Sequence, residues 1–313
     1  MEFRQFRYIL KIAEEGTLSR AARKLYISQP SLSQMLTALE RNIGAPLFDR
    51  GTKRLTPTAV GRLYLETARA IITLDETFHQ QVDDCIRGEA GDITIGLTQF
   101  RSTHLLAPML PAFHAKYPQI HLHLREDTTQ RLEELAENGK VDCIISLLPI
   151  STHRFAYDIL FEERLLLALP PMHPICTALG LLPGRYAAPP IIALTRLRDT
   201  PFLLMHREQK LHDTLFSLCT HAGFMPKITL ETRSMNTAHA LAGAGLGAAI
   251  LPETLIAAAP PAHPPCYAAI EDAPQRTIIL ARAKQRYLPR AVTIFREELQ
   301  RFCASLQKEK KEK

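Results

Sequence analysis

The chain is most quickly bounded by what it lacks. None of its apolar runs reaches the ~20 residues of a membrane span. Its opening, MEFRQFRYILKIAEEG, is charged and amphipathic, unlike a secretory signal. The expectation is a cytoplasmic protein with no membrane partner. Six cysteines (Cys85, Cys143, Cys176, Cys219, Cys266, Cys303) are widely scattered with no C-x-x-C. That spacing predicts free buried thiols and leaves a redox pair without two cysteines close in sequence to support it. There is no G-x-S-x-G and no P-loop. Gly243-Ala244-Gly245-Leu246-Gly247 lacks dinucleotide-fingerprint spacing and leads into a strand, not a helix. His121 and His123 alternate on a strand without Cys or carboxylate partners, so they are not read as metal ligands. The chain is therefore expected to hold no catalytic residues, metal or cofactor, and not to be an enzyme.

What is present is a globular composition, 46% hydrophobic and 22% charged over 313 residues, long enough for two or three domains. Net charge is +6, unevenly placed. Residues 1–62 hold 11 Lys/Arg against 5 Asp/Glu, and residues 63–89 hold 2 against 6. A basic head on a neutral or acidic body is the electrostatic footprint of nucleic-acid binding, although a solvated basic face has the same composition.

Within that head, residues 28–41 read as a helix with Leu32, Met35, Leu36 and Leu39 on one face. Pro30, Ser33, Gln34, Thr37 and Arg41 lie opposite. Ser28 suits an N-cap, and Pro30 falls in the first turn. Residues 17–25 form a shorter helix with a Leu18, Ala21, Ala22, Leu25 stripe, capped by Thr17 and preceded by Gly16. Two short helices joined by residues 26–28 make a helix-turn-helix. A first helix at 2–14, with Phe3, Phe6, Leu10 and Ala13, would cover them. Small hydroxyls and amides at the start of the second helix of the pair suit base edges and phosphates of a major groove. Ser33 and Gln34 are expected at base edges, and Thr17, Ser28, Ser31, Arg50 and Arg54 at phosphates. Gln29 serves either role, and Ser19 and Pro30 complete the face. For Thr17 and Ser28, capping is an equal use.

Residues 47–56 read as a wing turning at Gly51-Thr52, with Arg50, Lys53 and Arg54 available to DNA backbone. Thr56-Pro57 is expected to cap a long helix to about residue 87, with Tyr64, Ile71, Leu74, Phe78, Val82 and Cys85 as a short coiled-coil seam. Self-association is preferred over intramolecular packing, because a palindromic site needs two heads.

A linker at 88–91 precedes an α/β alternation: strands at 92–97, 121–125 and 141–147 predict a parallel sheet, and a second α/β series follows with strands at 165–169, 202–205, 227–231, 247–251 and 277–281. Ligands bind beyond the carboxyl ends of such strands. That rule gathers Thr98, Gln99, Arg101, Ser102, Thr103, Thr128, Thr129 and Ser146 on one side of a cleft. His206, Arg207 and Asn236 face them. Each hydroxyl has helix capping as an equal use. A carboxylate-bearing small molecule is the preferred ligand.

The pattern FRYILKIAEEGTLSRAARKLYISQPSLSQMLTALERNIGAPLFDRGTKRLTPT resembles the LysR-type transcriptional regulators. It combines SQPSLSQ, LE-x-x-x-G-x-x-LF-x-R and a TPTAVG start to the long helix. AGAGLGAA before ILPE extends the likeness into the body. The resemblance implies an α/β protein with an N-terminal all-α winged helix-turn-helix. It also implies an effector domain of two α/β subdomains resembling a type 2 periplasmic binding protein. The domains would be 1–58 (head), 59–88 (dimerisation helix) and 89–305 (effector domain), with a disordered tail at 306–313. Subdomain I would hold 89–160 and 268–305, and subdomain II 161–267. Implied partners are double-stranded promoter DNA, a small-molecule effector, the chain itself as dimer or tetramer, and RNA polymerase. Ala/Pro-rich stretches at 187–190 and 257–265 depart from the family pattern. The alternatives are a cytoplasmic solute receptor whose N-terminal helices only mediate assembly, and an α/β enzyme.

Overall fold

The computed structural model describes residues 3–49, 54–87 and 90–312, in two compact units, Met1–Ile86 and Arg87–Lys313. No described helix is long and apolar enough to cross a membrane.

The first unit is built on three helices, α1 (Phe3–Glu15), α2 (Leu18–Lys24) and α3 (Gln29–Ile43). Phe6, Ile9 and Ile12 of α1 pack with Ala21, Ala22, Leu32, Leu36 and Leu39 in one core. The buried face of α1 is thus rotated from the expected one: Phe3 is exposed, and Leu10 and Ala13 are only half-buried. Gly44, at φ 80°, stops α3 in a conformation costly for other residues. Strands β1 (Phe48–Asp49) and β2 (Thr56–Pro57) pair antiparallel, with Phe48 opposite Pro57. The wing turn predicted at Gly51-Thr52, with Arg50 and Lys53, lies outside the described residues.

The long helix, α4 (Ala59–Arg87), begins differently from the expectation. Thr56-Pro57 is strand, and Thr58 is the cap: its Oγ1 accepts from Gly61 N at 2.9 Å and donates to Pro46 O at 2.7 Å. Tyr64 and Ile71, expected in an intermolecular seam, pack into the core of their own head. Leu74, Phe78 and Val82 are exposed.

The second unit contains strands β3 (Gly91–Leu97), β4 (Ile120–Glu126), β5 (Cys143–Leu147), β6 (Phe155–Glu163), β7 (Leu165–Leu169), β8 (Ile191–Ile192), β9 (Pro201–Met205), β10 (Lys227–Thr232), β11 (Ala249–Pro252), β12 (Cys266–Ile270) and β13 (Arg276–Ala283). One lobe holds the sheet β4-β3-β5-β13-β6. Its first three strands are parallel, and β13 runs antiparallel to both neighbours. Alternation along β5 and β13 buries both faces: Cys143, Ile145, Ile278 and Leu280 meet Phe113 and Phe295, while Ile144, Ile279 and Ala281 meet Leu132 and Ala136.

The other lobe holds the sheet β11-β7-β12-β8 and the parallel pair β10-β9. The parallel sheet expected of the first three strands holds for β3, β4 and β5, and antiparallel strands join it. Antiparallel β6, β7, β11, β12 and β13 carry the chain between and through the lobes. β6 and β12 were not anticipated. They move the crossings to Glu163/Leu165 and Ile270/Arg276, a few residues beyond the expected ones. The final helix, Arg290–Glu312, runs through most of the segment expected to be a disordered tail. Cys143, Cys176, Cys219, Cys266 and Cys303 are free and buried.

Candidate nucleic-acid interface and ligand cleft

In the head, two caps set the helix pair. Thr17 Oγ1 accepts from Arg20 N, and Ser28 Oγ from Ser31 N, each at 3.3 Å. Both hydroxyls thus satisfy backbone donors that the helix starts leave open. The side of α3 opposite its buried leucines presents Gln29, Pro30, Ser31 and Gln34 as exposed residues, with Ser33 half-buried. Ser19 and Arg54 are also exposed. Arg54 lies against Gly16, where an added Cβ would stand 2.7 Å from the arginine Cγ. Leu55 N donates to Gly16 O at 2.8 Å, tying the strand side of the wing to the turn between α1 and α2. Tyr26, at φ 56° and 95% exposed, lies in the turn of the helix pair, within the 26–28 junction expected there. Arg50 lies outside the described residues.

In the second unit, a cavity of about 570 Å³ opens between the lobes. Thr98, Gln99, Arg101, Thr103, Thr128, Thr129 and Ser146 line it from the first lobe, and Asn236 from the second. Thr98 and Thr128 occupy N-cap positions without making a cap bond. Ser146 Oγ is buried and has no hydrogen-bond partner among the described residues. Ser102 is not in the lining, and its hydroxyl is buried in the turn behind.

His206 and Arg207 lie outside the cleft, in a separate depression with His212, Glu231, Thr232 and Arg233. The reason is local. His206 N donates to Thr232 O at 2.9 Å, which extends the pairing of β9 with β10. The chain turns inward only after that, bringing Glu208, Gln209, Lys210 and Leu211 to the cavity.

The cleft floor is the part that sequence reasoning missed. Arg101, expected to meet ligand, is 5% exposed and forms a two-pronged pair with Glu163, whose carboxylate is fully buried. Thr254 Oγ1 donates to the same carboxylate at 2.5 Å from the second lobe. Arg276 Nη1 stands 3.4 Å from Glu163 Oε1, in ion-pair range, without a hydrogen bond. Burial pushes the Glu163 carboxyl up, but the Arg101 and Arg276 guanidiniums outweigh it and hold the group below the ordinary carboxylate range. Burial lowers Arg276 to about 10, so it stays charged at neutral pH. Lys210 Nζ reaches across the lobes to donate to Leu147 O at 3.0 Å and Pro149 O at 3.3 Å. Its pKa falls chiefly through burial. Glu126 and Asp127 complete the wall after β4.

Known proteins agree with this architecture. Residues 3–62 match the bacterial regulatory helix-turn-helix protein, lysR family, and residues 87–304 match the LysR substrate binding domain. The uncharacterized HTH-type transcriptional regulator YcgK of Bacillus subtilis (strain 168) is 30% identical over 304 residues, 95% of this chain and 93% of that protein. Full-length OxyR C199D from Pseudomonas aeruginosa shares the fold at a TM-score of 0.67 and 24% identity, over 97% of this chain and 94% of that one. Full-length CbnR in complex with its target DNA superposes at 0.58 and 25% identity, over 96% and 100%. A winged helix-turn-helix followed by a two-lobed α/β unit with a polar cleft, matched along nearly its whole length, places this chain in the LysR family of DNA-binding transcriptional regulators with an effector-binding domain.

Proposed function

We propose that two copies of this chain bind double-stranded promoter DNA and that a small anionic molecule in the cleft alters transcription. The observation that carries the DNA side is the asymmetry of α3. Leu32, Leu36 and Leu39 are sealed in the head core, while Gln29, Ser31 and Gln34 face solvent above a helix N-terminus. Ser33 and Gln34 would meet base edges. Thr17, Ser19, Ser28, Pro30, Ser31, Arg50 and Arg54 would meet or border the phosphates, and Gln29 would meet either.

The exposed Leu74, Phe78 and Val82 of α4 supply a self-complementary apolar row for a dimer, and a tetramer follows if dimers pair again. RNA polymerase is the further partner of an activator, and the cytoplasm is the compartment in which such a protein works. CbnR, solved with its target DNA, supports the reading. The matches at both ends of the chain favour it over a solute receptor without DNA-binding role.

An anion in the cleft is favoured by the three guanidiniums, of Arg101, Arg233 and Arg276, and the Lys210 ammonium that line it. The DNA reading is tested by electrophoretic shift with the DNA upstream of the chain's own gene. Retardation should weaken steeply with salt. Leu74→Asp with Phe78→Asp should yield monomers by sedimentation and lose the shift. A strictly monomeric wild type that ignores duplex DNA at low ionic strength would refute the proposal.

A further inference from the structure

The cleft holds four cations, and three are already engaged. Arg101 is paired with Glu163 through both terminal nitrogens. Lys210 donates to two backbone carbonyls. Arg233 stands 3.2 Å from Glu208. Arg276 is different. It shares one carboxylate with Arg101, and Arg101 and Thr254 take the hydrogen bonds that carboxylate accepts. Arg276 keeps a 3.4 Å ion contact and a buried Nη1 without a hydrogen bond. Two guanidiniums and one carboxylate leave this largely buried group one positive charge in excess. An uncompensated cation in such surroundings is costly unless an anion reaches it. Its side chain is 15% exposed, and the open part lines the cavity.

We propose that Arg276 receives the carboxylate of the cleft ligand. The inference rests on the anionic reading of the cleft and goes beyond it by naming the receiving group and the ligand class. A guanidinium binds a carboxylate through two parallel N–H donors, which fixes the ligand's orientation as well as its charge. Glu126 and Asp127 stand on the wall of the same cavity, and Asp127 Oδ1 already accepts from Thr128 N at 2.8 Å. A second carboxylate on the ligand would meet these two anions. The class that fits is therefore a small monocarboxylate whose far end is neutral or cationic, and a dianion of similar length is disfavoured.

The test is calorimetric titration of the full chain with four probes: benzoate, 6-aminohexanoate, adipate and benzamide. Wild type is compared with Arg276→Gln, Arg276→Lys and Arg207→Gln. Arg207→Gln removes an equal charge outside the cleft. Far-UV circular dichroism checks that each variant is folded. Benzoate or 6-aminohexanoate should bind wild type and Arg207→Gln alike, at least tenfold tighter than adipate or benzamide. Arg276→Gln should weaken that binding at least tenfold, and Arg276→Lys, which keeps charge but loses the fork, should fall between. If a monocarboxylate binds Arg276→Gln as well as wild type, the assignment of Arg276 is overturned while the anionic cleft stands. If adipate binds tightest through Arg276, the monocarboxylate class is overturned. If no carboxylate binds wild type saturably, the assignment and the anionic reading both fall.

Discussion

Glu163→Gln is the perturbation that most directly probes the cleft floor. Glutamine keeps the size of the side chain and an acceptor for Thr254, but it removes the carboxylate that Arg101 and Arg276 share. Those side chains are 7% and 15% exposed, against 0% for Glu163. Removing one partner of a buried ion pair costs about 3–5 kcal/mol, because the remaining charge stays buried. Arg276 borders the cavity, so water reaches its open side, and the expected loss lies near the lower end, about 3 kcal/mol. The effect also has a pH signature. The folded Glu163 carboxyl titrates below its unfolded value of about 4.3. Its contribution is therefore complete above that unfolded value and is lost as pH falls through the folded one. The gap between wild type and variant should stay constant from neutral pH to about 5 and close in stronger acid. The chain has no tryptophan, so urea unfolding is followed by far-UV circular dichroism. The combined Arg101→Met, Glu163→Leu, Arg276→Met variant should recover most of the loss. A Glu163→Gln protein with the wild-type urea midpoint, or with an undiminished deficit at pH 3, would refute the charge argument.

The features legible in the sequence were those whose cause is local. Thr17 and Ser28 cap helices whose apolar residues recur every three to four positions, and those signals sit within one or two turns. The helix Thr129–Glu137 and the strand Leu165–Leu169 were likewise bounded by nearby breakers. Misreadings arose where a distant segment decides. Thr56-Pro57 satisfies the local pattern of a helix start, but Phe48 claims Pro57 for a strand and Thr58 finds its second partner at Pro46. β6 carries Asp158, Glu162 and Glu163 within an otherwise apolar run, and β12 is short and alanine-rich. Their pairing partners lie elsewhere in the chain and outweigh weak intrinsic preference. The cleft divides the same way. Thr98, Thr128 and Ser146 were located by the rule that ligands sit beyond strand ends. Arg276, Glu163 and Lys210 meet only because β13 returns between β5 and β6, a pairing with no signature near any of the three. The rule did not bring His206 and Arg207 to the cleft, because the His206 N to Thr232 O bond keeps the chain beside β10 after β9 ends at Met205.

Two predictions concern the head. Gln34→Ala should relax preference at one base pair of the site by about 1–3 kcal/mol while leaving the salt slope of binding unchanged; titration of single-base variants of the upstream DNA checks it, and equal losses on every variant would assign Gln34 to the backbone instead. Gly61→Ala tests why the TPTAVG stretch ends on glycine. Gly61 has no unusual backbone angle to demand it, and alanine favours a helix interior by up to about 1 kcal/mol. The objection is steric. A Cβ there would lie 1.9 Å from the carbonyl oxygen of Leu47, a backbone atom that also accepts from Thr58 N. Leu47 cannot withdraw freely, because its own N–H donates to Glu40 Oε1 at 2.8 Å and its side chain is fully buried. The substitution must push the start of α4 away from β1 and loosen Tyr64 and Leu65 in the head core. Overpacking of this kind costs about 1–3 kcal/mol net of the helix gain. Thermal unfolding by circular dichroism should show the head melting earlier and DNA affinity falling with it. A Gly61→Ala protein as stable as wild type would mean that α4 is not seated on Leu47 as described.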